Sequence, residues 1–485
     1  MKENACNNKN QKKDPGFLLS AVSSNSGKTA AACGLMSAFK QMGKRVCACK
    51  CGPDYIDPMF HREVLNVDSK NLDLFFSEEE VLKEEYLRHT KDADITITEG
   101  VMGFYDGMSL GSVKGSSYDV ARTLGLPVIL VINARGAAMT LAAMVKGIAE
   151  FRSDSKIRGI LLNRVSAMLY PRLKEMLENE LARIGHGEIK IVGYMPENEA
   201  FHLESRHLGL VTPQEMENLQ EKVKLAGEIL AKTVDLELLE KIAGEASAWK
   251  SDFSEESEKI GSLKSLNYPV RIAVARDEAF CFYYKDNLEL LESLGCELIE
   301  FSPLYDKKLP EKINGILLGG GYPELYGKQL AENQSMLESI RRALDDKIPC
   351  LAECGGFMYL HEEMEDTDGN VWKLVGRIHG RTFPTGKLVR FGYVNLQVNS
   401  LGMGSEREAE GWFLPGENIR AHEFHYWDST DSGSDCLAVK PDGKRSWECM
   451  HLEENLVVGY PHLYYPSCEK FAERFVEKCR SGYRE

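Results

Sequence analysis

One short stretch of the chain has the residue types of a nucleophile. In PCLAECGGFMYL, residues 349–360, an apolar run stops at Cys354 and two glycines and then continues as apolar sequence. We expect a strand, a sharp turn and a helix, because glycines at 355 and 356 permit tight backbone geometry. The turn would expose the thiol at a helix start, where the helix dipole lowers a thiol pKa. Cys354 is therefore the predicted nucleophile, and Glu353 beside it is not assigned as the acid of a triad.

A nucleophilic cysteine also needs a base and donors for an oxyanion. His462 ends a β-rich run in VVGYPHLYY, and we predict that it is the base, with a structural histidine as the alternative. A glycine loop, residues 319–321, follows another apolar run in GILLGGGYPELY. The backbone N–H groups of Gly320 and Gly321 are the predicted oxyanion donors.

A second stretch has the residues of a phosphate site. FLLSAVSSNSGKT places Ser26, Gly27, Lys28 and Thr29 between a strand and a long helix. In such a P-loop, backbone N–H groups surround phosphate oxygens, the lysine reaches the β- and γ-phosphates, and the threonine hydroxyl contacts Mg²⁺. Val22 stands where the full pattern has glycine, so this is a variant loop. The alternative is an ordinary helix start.

Carboxylates follow the next two predicted strands. Asp54 and Asp57 come after the second strand, and Glu99 and Asp106 come after the third. The carboxyl ends of parallel strands meet at one edge of a sheet, and Mg²⁺ prefers oxygen ligands. We therefore predict that these side chains lie near bound ATP and Mg²⁺, although each one alone could be a turn residue.

Amide and cationic side chains occur at the same strand ends. Asn163 ends the fifth strand, and its amide offers a donor and an acceptor to a base edge. Arg135 and Arg164, with Lys28 and Lys50, predict a cationic patch that would attract an anionic substrate beside ATP. Isolated surface charges are the alternative.

These residues require a scaffold. The first half alternates apolar runs with helical stretches, which predicts an α/β fold with a doubly wound parallel sheet. The predicted strands are 17–22, 45–50, 92–100, 126–134, 157–165 and 189–196.

The chain is predicted to hold two domains. The predicted segments are a disordered leader at 1–15, a P-loop domain at 16–235, a Ser- and Glu-rich linker at 236–267 and a second α/β domain at 268–485. The second domain becomes β-rich past residue 382, with strands predicted at 388–398 and 455–465.

Composition limits the classes of function. A formal net charge of −15 disfavours nucleic acid and anionic membranes as partners. No apolar run reaches the roughly 18 residues of a membrane span, and the polar N-terminus is not a secretory signal. The 13 cysteines therefore predict a reducing cytoplasm, with Cys47, Cys49 and Cys51 lining a strand. His422 and His425 have no obvious third ligand, so we predict interface or structural roles for them.

Taken together, the motifs resemble those of the cobyrinate a,c-diamide synthases. In chain order, the matching segments are SSNSGKT, GPDYIDPMFH, EGVMGFYDG, GSSYDVARTLGLPVILVINARG, GILLNRV, SRHLGLV, GILLGGGYPE, AECGGFMYL, RFGYV, HEFHY and GYPHLYY. The first half is also similar to dethiobiotin synthetase and cobyric acid synthase. The second half is similar to a class I glutamine amidotransferase domain.

The resemblance implies a ligase that uses glutamine. Glutamine is hydrolysed at the cysteine through a thioester, and the ammonia crosses to the first domain. There ATP phosphorylates a corrinoid carboxylate, and ammonia displaces phosphate, first at one and then at the other of positions a and c. Lys28 and Thr29 are implied at the phosphates and metal, Asp54 and Glu99 as Mg²⁺ ligands, and Asn163 at adenine. The residues expected near the acyl phosphate or the corrin are Lys50, Tyr55, Asp57, His61 and Asp106.

Two positions depart from the family pattern. Tyr464 stands two residues after His462, where many class I amidotransferases carry a glutamate. We therefore predict a dyad of Cys354 and His462 without an assigned third member. Asn25 replaces a frequent loop glycine, and asparagine tolerates the left-handed backbone region.

Other functions stay open at this point. The same chemistry on another tetrapyrrole, such as nickel-sirohydrochlorin, is not separated by sequence. A P-loop ATPase switch with a binding domain is a further hypothesis, which the Cys354 and His462 pair disfavours. The oligomeric state also stays open, with a homodimer among the options.

Overall fold

The computed structural model describes residues 11–12, 15–203, 213–247, 249–250, 269–399, 411–414 and 416–481. Most of the predicted leader, the predicted linker from residue 251 and the SRHLGLV motif lie outside the described residues. The chain divides into two compact units, Met1–Asp252 and Phe253–Glu485, called here the first and second units.

A seven-stranded parallel sheet forms the centre of the first unit. In spatial order its strands are Ser69–Leu72, Val46–Cys51, Ile95–Glu99, Gly16–Ala21, Val128–Asn133, Ile157–Asn163 and Lys190–Met195. The apolar runs form these strands because both faces of the sheet are covered, as the fully buried strand Gly16–Ala21 illustrates. The six predicted strands and the doubly wound α/β class are confirmed.

The edge strand Ser69–Leu72 was not predicted. Its sequence, SKNL, is mostly polar, yet all four residues are buried. The polar groups have partners, which lowers the cost of burial. The Asn71 amide donates to the Gly52 carbonyl at 2.8 Å and to the Asp54 carbonyl at 2.7 Å, and Ser69 Oγ lies 3.0 Å from Nδ1 of His61.

Helices surround this sheet. They span Lys28–Gln41, Ile56–Glu63, Glu79–Thr90, Ser117–Leu124, Met139–Phe151, Tyr170–Arg183, Pro213–Thr233 and Leu236–Ala243, with a 3₁₀ turn at Glu199–Phe201. A short antiparallel pair joins Gln11–Lys12 to Trp249–Lys250. The predicted linker differs from the structure at its start, because the helix Leu236–Ala243 buries Leu239 and Ile242 within the first unit.

The second unit contains a six-stranded sheet. In spatial order its strands are Cys296–Phe301, Val270–Ala275, Gly315–Leu318, Cys350–Glu353, Leu456–Gly459 and His451–Glu453. The first five are parallel, and the last is antiparallel. Helices of this unit span Lys285–Ser293, Gly327–Glu332, Gln334–Asp345, Gly355–Leu360 and Glu469–Ser481, with 3₁₀ turns at Pro323–Leu325 and Tyr465–Cys468.

Two smaller sheets complete the second unit. The four-stranded sheet contains Val371–Lys373, His361–Glu365, Ile378–Pro384 and Trp427–Ser429. The five-stranded antiparallel sheet contains Ser446–Cys449, Cys436–Val439, Arg390–Val398, Asn418–His425 and His462–Leu463. The strand predicted at 455–465 is therefore two strands in different sheets. Pro461 lies between them, and proline lacks the N–H that would continue a ladder.

Within the described part of the chain, no helix is long and apolar enough to cross a membrane. The twelve cysteines described there are all free thiols. Cys47, Cys49 and Cys51 are buried along the strand Val46–Cys51, as their spacing predicts.

Candidate active site

The predicted phosphate loop connects the strand Gly16–Ala21 to the helix Lys28–Gln41. Asn25 has a φ of 60°, so asparagine takes the left-handed conformation as predicted. Gly27 has a φ of 94°, and a Cβ there would lie 2.4 Å from Nδ2 of Asn163. Both observations explain why small or permissive residues occupy this loop.

Asn163 holds the same loop from the strand end. Its amide donates to the Ser26 carbonyl at 2.9 Å. Asn163 therefore contacts the predicted phosphate loop, while its contact with adenine stays a prediction.

Lys28 is the first helical residue, and its side chain is turned toward backbone oxygens. Its Nζ donates to the Ser23 carbonyl at 3.3 Å and to the Met102 carbonyl. Burial, and then the charge of Lys50, lower the pKa of Lys28 to about 8. This ammonium is poorly compensated, so an anion such as phosphate would relieve it.

Glu99 joins the loop to a buried ionic group. Its Oε1 accepts from the Thr29 hydroxyl at 2.6 Å and from Lys50 Nζ at 2.8 Å. Lys50 also lies 2.5 Å from Oδ2 of Asp57, and Nε2 of His61 lies 3.4 Å from Oε2 of Glu99. Burial alone would raise the pKa of Glu99, but the interactions with Lys50 and His61 lower it by more. The pKa of Glu99 therefore lies below its usual value.

The expected cationic patch differs from the structure at two of its members. Lys50 is only 4 % exposed and is paired with two carboxylates, so its charge is neutralised locally. Arg135 is exposed and lies 3.3 Å from Oε1 of Glu197. A buried cation needs a paired opposite charge inside the protein. The sequence pattern does not show which lysine is buried, so it did not predict this pairing.

The other predicted substrate residues differ in exposure. Asp57 and His61 are almost fully buried, as Lys50 is, whereas Tyr55 is half-buried and Asp106 is exposed. Asp106 Oδ2 accepts from the Gly103 N–H at 3.0 Å, which fixes its turn. The structure thus separates a buried ionic group from the exposed Asp106, with Tyr55 between these extremes.

Asp54 caps the helix that begins at Ile56. Its Oδ1 accepts from the backbone N–H of Ile56 at 2.8 Å and of Asp57 at 3.3 Å. Burial and then Asp57 raise the pKa of Asp54 to about 6. A cation near this carboxyl group would favour its charged form.

In the second unit, Cys354 lies on a strained turn between the strand Cys350–Glu353 and the helix Gly355–Leu360. Its φ of 49° is unusual for a residue with a side chain. The close packing requires glycine after it, because a Cβ on Gly356 would lie 2.2 Å from the Leu318 carbonyl oxygen. The strand, turn and helix are confirmed.

The predicted exposure and acidity of the thiol are wrong. Cys354 is only 8 % exposed, and burial, followed by the charge of Glu324, raises its pKa above the usual value. The following helix has six residues, so its dipole does not offset this cost. The resting thiol is therefore neutral and needs a base.

His462 lies at the same corner of the unit. The Cys354 N–H donates to the Gly459 carbonyl at 2.8 Å, three residues before His462. A Cβ on Gly320 would lie 2.4 Å from Cε1 of His462, so the imidazole packs on the glycine loop. Burial, then His422 and His425, lower the pKa of His462 to about 3, which keeps the imidazole neutral.

The glycine loop presents one N–H toward the turn. The Gly320 carbonyl accepts from the N–H groups of Cys281 and Phe282 at 3.0 Å each. Because a peptide is planar and trans, the N–H of Gly321 points the opposite way. A Cβ on Gly355 would lie 3.0 Å from that nitrogen. The Gly319 carbonyl accepts from Gly356, which by the same rule directs the Gly320 N–H away from the turn.

His422 and His425 lie close to the imidazole of His462 in the paired strands. The Nδ1–H of His425 donates to the Trp427 carbonyl at 2.6 Å, its Nε2 lies 3.1 Å from Oε2 of Glu423, and its ring stacks on Tyr460 with ring centroids 4.0 Å apart. No group of three or more His, Cys, Asp or Glu side chains suited to a metal occurs in the described ranges. The structural interpretation of His425 fits these contacts.

Sequence reasoning did not assign one carboxylate that the structure brings to this corner. Oε2 of Glu353 lies 3.9 Å from Nδ1 of His462. The sequence gives one indication of this role, which is that Glu353 directly precedes Cys354. In the sheet, Glu353 ends its strand beside Gly459 of the neighbouring parallel strand. The contact is hidden in the sequence because the two residues are 109 positions apart.

Comparisons with known proteins match one domain family in each of the two units. Residues 18–211 match the family described as the CobQ/CobB/MinD/ParA nucleotide binding domain. Residues 271–468 match the CobB/CobQ-like glutamine amidotransferase domain.

Three curated relatives cover nearly the whole chain, and each is a cobyrinate a,c-diamide synthase. The protein of Caldanaerobacter subterraneus subsp. tengcongensis is 36% identical over 97% of this chain and 99% of its own length. The protein of Clostridium tetani is 38% identical over 95% of this chain and 99% of its own length. The protein of Clostridium acetobutylicum is 38% identical over 93% of this chain and 97% of its own length.

Proposed function

The chain belongs to the cobyrinate a,c-diamide synthase family, and from this premise we propose the reaction that it catalyses. It converts the a- and c-carboxylates of cobyrinate into amides in cobalamin biosynthesis. ATP activates the carboxylates, and glutamine supplies the nitrogen. The enzyme is thus a ligase that forms carbon–nitrogen bonds with glutamine as the amido donor.

The second unit releases ammonia from glutamine. The Cys354 thiol gives its proton to the neutral His462 imidazole, and the sulfur forms a bond to the amide carbon. The Gly321 N–H is the best-directed donor of the predicted pair for the oxygen that becomes negative. The proton on His462 then passes to the departing ammonia, and water hydrolyses the resulting thioester to glutamate.

The first unit activates the carboxylate. The loop from Ser26 to Thr29 holds the ATP phosphates, with Lys28 as the cation at the transferring group. A side-chain carboxylate of the macrocycle attacks the γ-phosphorus, and ADP leaves. Ammonia then attacks the acyl phosphate, the carbon–nitrogen bond forms, and inorganic phosphate departs.

Three side chains of the first unit have the oxygen groups that a magnesium ion prefers. Thr29, Asp54 and Glu99 would hold it, because a hydroxyl and two carboxylates are ligands of the type that Mg²⁺ prefers. Burial and the nearby Asp57 raise the pKa of Asp54 to about 6, and a bound cation would favour the charged form of this carboxyl group. Bound Mg²⁺ would neutralise charge on the transferring phosphoryl group.

The predicted substrate residues take two roles in this proposal. Asp106, which is exposed, and Tyr55, which is half-buried, contact the macrocycle or its acyl phosphate. Lys50, Asp57 and His61, which are buried, hold Glu99 in place from inside the unit. Asn163, which fixes Ser26, also recognises adenine.

The observation that carries the proposal is the corner formed by Cys354 and His462. The turn that carries a strained, buried cysteine contacts the same glycine loop as a neutral histidine, which is an arrangement for covalent catalysis and not for a passive binding domain. This observation disfavours the ATPase-switch hypothesis.

We also propose two catalytic domains, of which the first begins at residue 16 and includes the helix Leu236–Ala243, and the second spans 268–485. The free state of the twelve described cysteines supports a reducing, cytoplasmic compartment.

A direct assay with alternative macrocycles tests the substrate. The purified protein is incubated with ATP, Mg²⁺, glutamine and either cobyrinate or nickel-sirohydrochlorin. The masses of the products are then measured by mass spectrometry. We expect two successive mass decreases of about 1 Da with cobyrinate, since each amidation replaces OH by NH₂. Turnover of only the nickel macrocycle would refute cobyrinate as the substrate.

A further inference from the structure

A buried carboxylate faces the imidazole that serves as the base. Oε2 of Glu353 lies 3.9 Å from Nδ1 of His462, within the range of an ion pair and longer than a hydrogen bond. Glu353 is 7 % exposed and His462 is 3 % exposed, so little water separates or screens them. Catalytic hydrogen bonds are often long without substrate and shorten when it binds.

The carboxylate is held in this direction by groups from other elements. The Tyr465 hydroxyl donates to Oε1 at 3.1 Å, and the backbone N–H of Leu463 also donates to the carboxylate. Tyr465 is itself fixed, because its backbone N–H donates to Oδ1 of Asn287 at 2.8 Å. Asn287 donates in turn to the Leu463 carbonyl at 2.8 Å. Oε2 therefore stays directed at His462.

Another carboxylate nearby, that of Glu423, has different partners. Glu423 lies 3.1 Å from Nε2 of His425 and accepts from the Trp447 indole at 3.0 Å. Tyr464, two residues after His462, has no carboxyl group. Among the described residues, Glu353 is the carboxylate found within ion-pair distance of His462.

We propose that Glu353 is the positioning residue of the base, accepting a hydrogen bond from Nδ1–H of His462. This arrangement leaves Nε2 unprotonated, so that it can take the proton of the Cys354 thiol, and the carboxylate stabilises the imidazolium that forms. In the active form Glu353 is ionised and keeps its charge throughout the cycle, and the proton goes from sulfur to Nε2 and then to ammonia. The inference rests on the proposed roles of Cys354 and His462.

The ionisation of Glu353 gives this role a signature. Burial raises its pKa to about 8, although the hydrogen bonds from Tyr465 and Leu463 oppose the shift. The titratable groups around it are His462, Tyr465, Tyr283 and its chain neighbour Cys354. Tyr283, Tyr465 and Cys354 have raised pKa values and His462 a lowered one, so these four are neutral near pH 8. The active form has Glu353 charged, so kcat/KM for glutamine should rise with pH through about 8.

The test compares three full-length variants with the wild type in glutamine hydrolysis from pH 6 to 10. Glu353→Gln keeps the shape but cannot ionise, and it should lower kcat by roughly 10- to 1,000-fold with little change in KM. It should also lose the rise near pH 8. Its ammonia-dependent amidation should stay at the wild-type rate, which shows that the chain is folded.

Tyr465→Phe provides a second, milder measurement. It removes a donor that favours the charged carboxylate, so the rise in kcat/KM should move to higher pH by a fraction of a pH unit. The inference is overturned if Glu353→Gln hydrolyses glutamine within threefold of wild type, or if Tyr465→Phe leaves the rise where it is. Cys354→Ser distinguishes failure of the role proposed for Glu353 from failure of the proposed function. Glutamine hydrolysis by that variant would refute the proposed function itself.

Discussion

The Thr29 hydroxyl donates a 2.6 Å hydrogen bond to Oε1 of Glu99, and this bond joins the first turn of the P-loop helix to the end of the neighbouring strand. The same oxygen accepts from Lys50 at 2.8 Å. One carboxylate therefore serves the phosphate loop on one side and neutralises a buried ammonium on the other. Changes at Glu99 should affect both activity and stability.

The first prediction concerns this buried ion pair. Glu99→Gln should destabilise the first unit by about 3 kcal/mol at pH 7, because Lys50 loses one of its two compensating charges inside the protein. Lys50→Met in the same chain should restore part of that loss. Urea unfolding of the two single variants and the double variant should give a coupling energy of about 1–3 kcal/mol. Additive effects would show that the pair is not energetically linked.

The second prediction is proton uptake when ATP binds. The pKa of Lys28 is about 8 in the free protein, because burial and Lys50 disfavour the charged form. Phosphate oxygens favour that form and raise the pKa, so at pH 8.5 a largely neutral amine gains a proton on binding. Calorimetry in buffers of different ionisation enthalpy should detect uptake at pH 8.5 and almost none at pH 6.5. Equal uptake at both values, or none at either, would contradict the position of Lys28 at the phosphates.

The third prediction separates the two half-reactions. Cys354→Ser should lose glutamine-dependent amidation by more than about 100-fold, because an alcohol is a far weaker nucleophile than a thiolate. Ammonium chloride should restore amidation to the wild-type rate with ammonia. Lys28→Ala is the matched control from the other unit, and it should lose amidation with either nitrogen source. Amidation from glutamine by the serine variant would remove Cys354 from the mechanism.

The fourth prediction concerns the contact between the glycine loop and the base. Gly320→Ala would place a methyl group 2.4 Å from Cε1 of His462, so the ring must move. We expect about 10- to 100-fold slower glutamine hydrolysis, since a displacement near 1 Å is that costly. Gly147→Ala, where a Cβ meets nothing within 4 Å, is the control and should be silent. Full activity of Gly320→Ala would mean that this face of the imidazole does not matter.

Much of this architecture could be predicted because local patterns determine it. Apolar runs fix the buried parallel strands, and Gly27 and Asn25 mark the left-handed turns of the phosphate loop. The strand Ser69–Leu72 could not be found in this way. Its polar side chains are buried because their partners, among them His61 and two backbone carbonyls, come from other segments.

The electrostatic state of the sites was the least predictable part. Position at a helix start suggested an acidic thiol, yet burial and Glu324 raise the pKa of Cys354. Lys50 looked like a substrate cation until two carboxylates were found beside it. Both outcomes depend on burial and on long-range neighbours, which spacing along one chain does not contain.

The most direct test of the central claim follows the nitrogen atom. The chain is given cobyrinate, ATP, Mg²⁺ and glutamine labelled with ¹⁵N only in the side-chain amide, with unlabelled ammonium at low concentration. We predict a product that carries two ¹⁵N amides and the release of one phosphate for each. Unmodified cobyrinate, despite glutamine hydrolysis and intact ATP binding, would contradict the account.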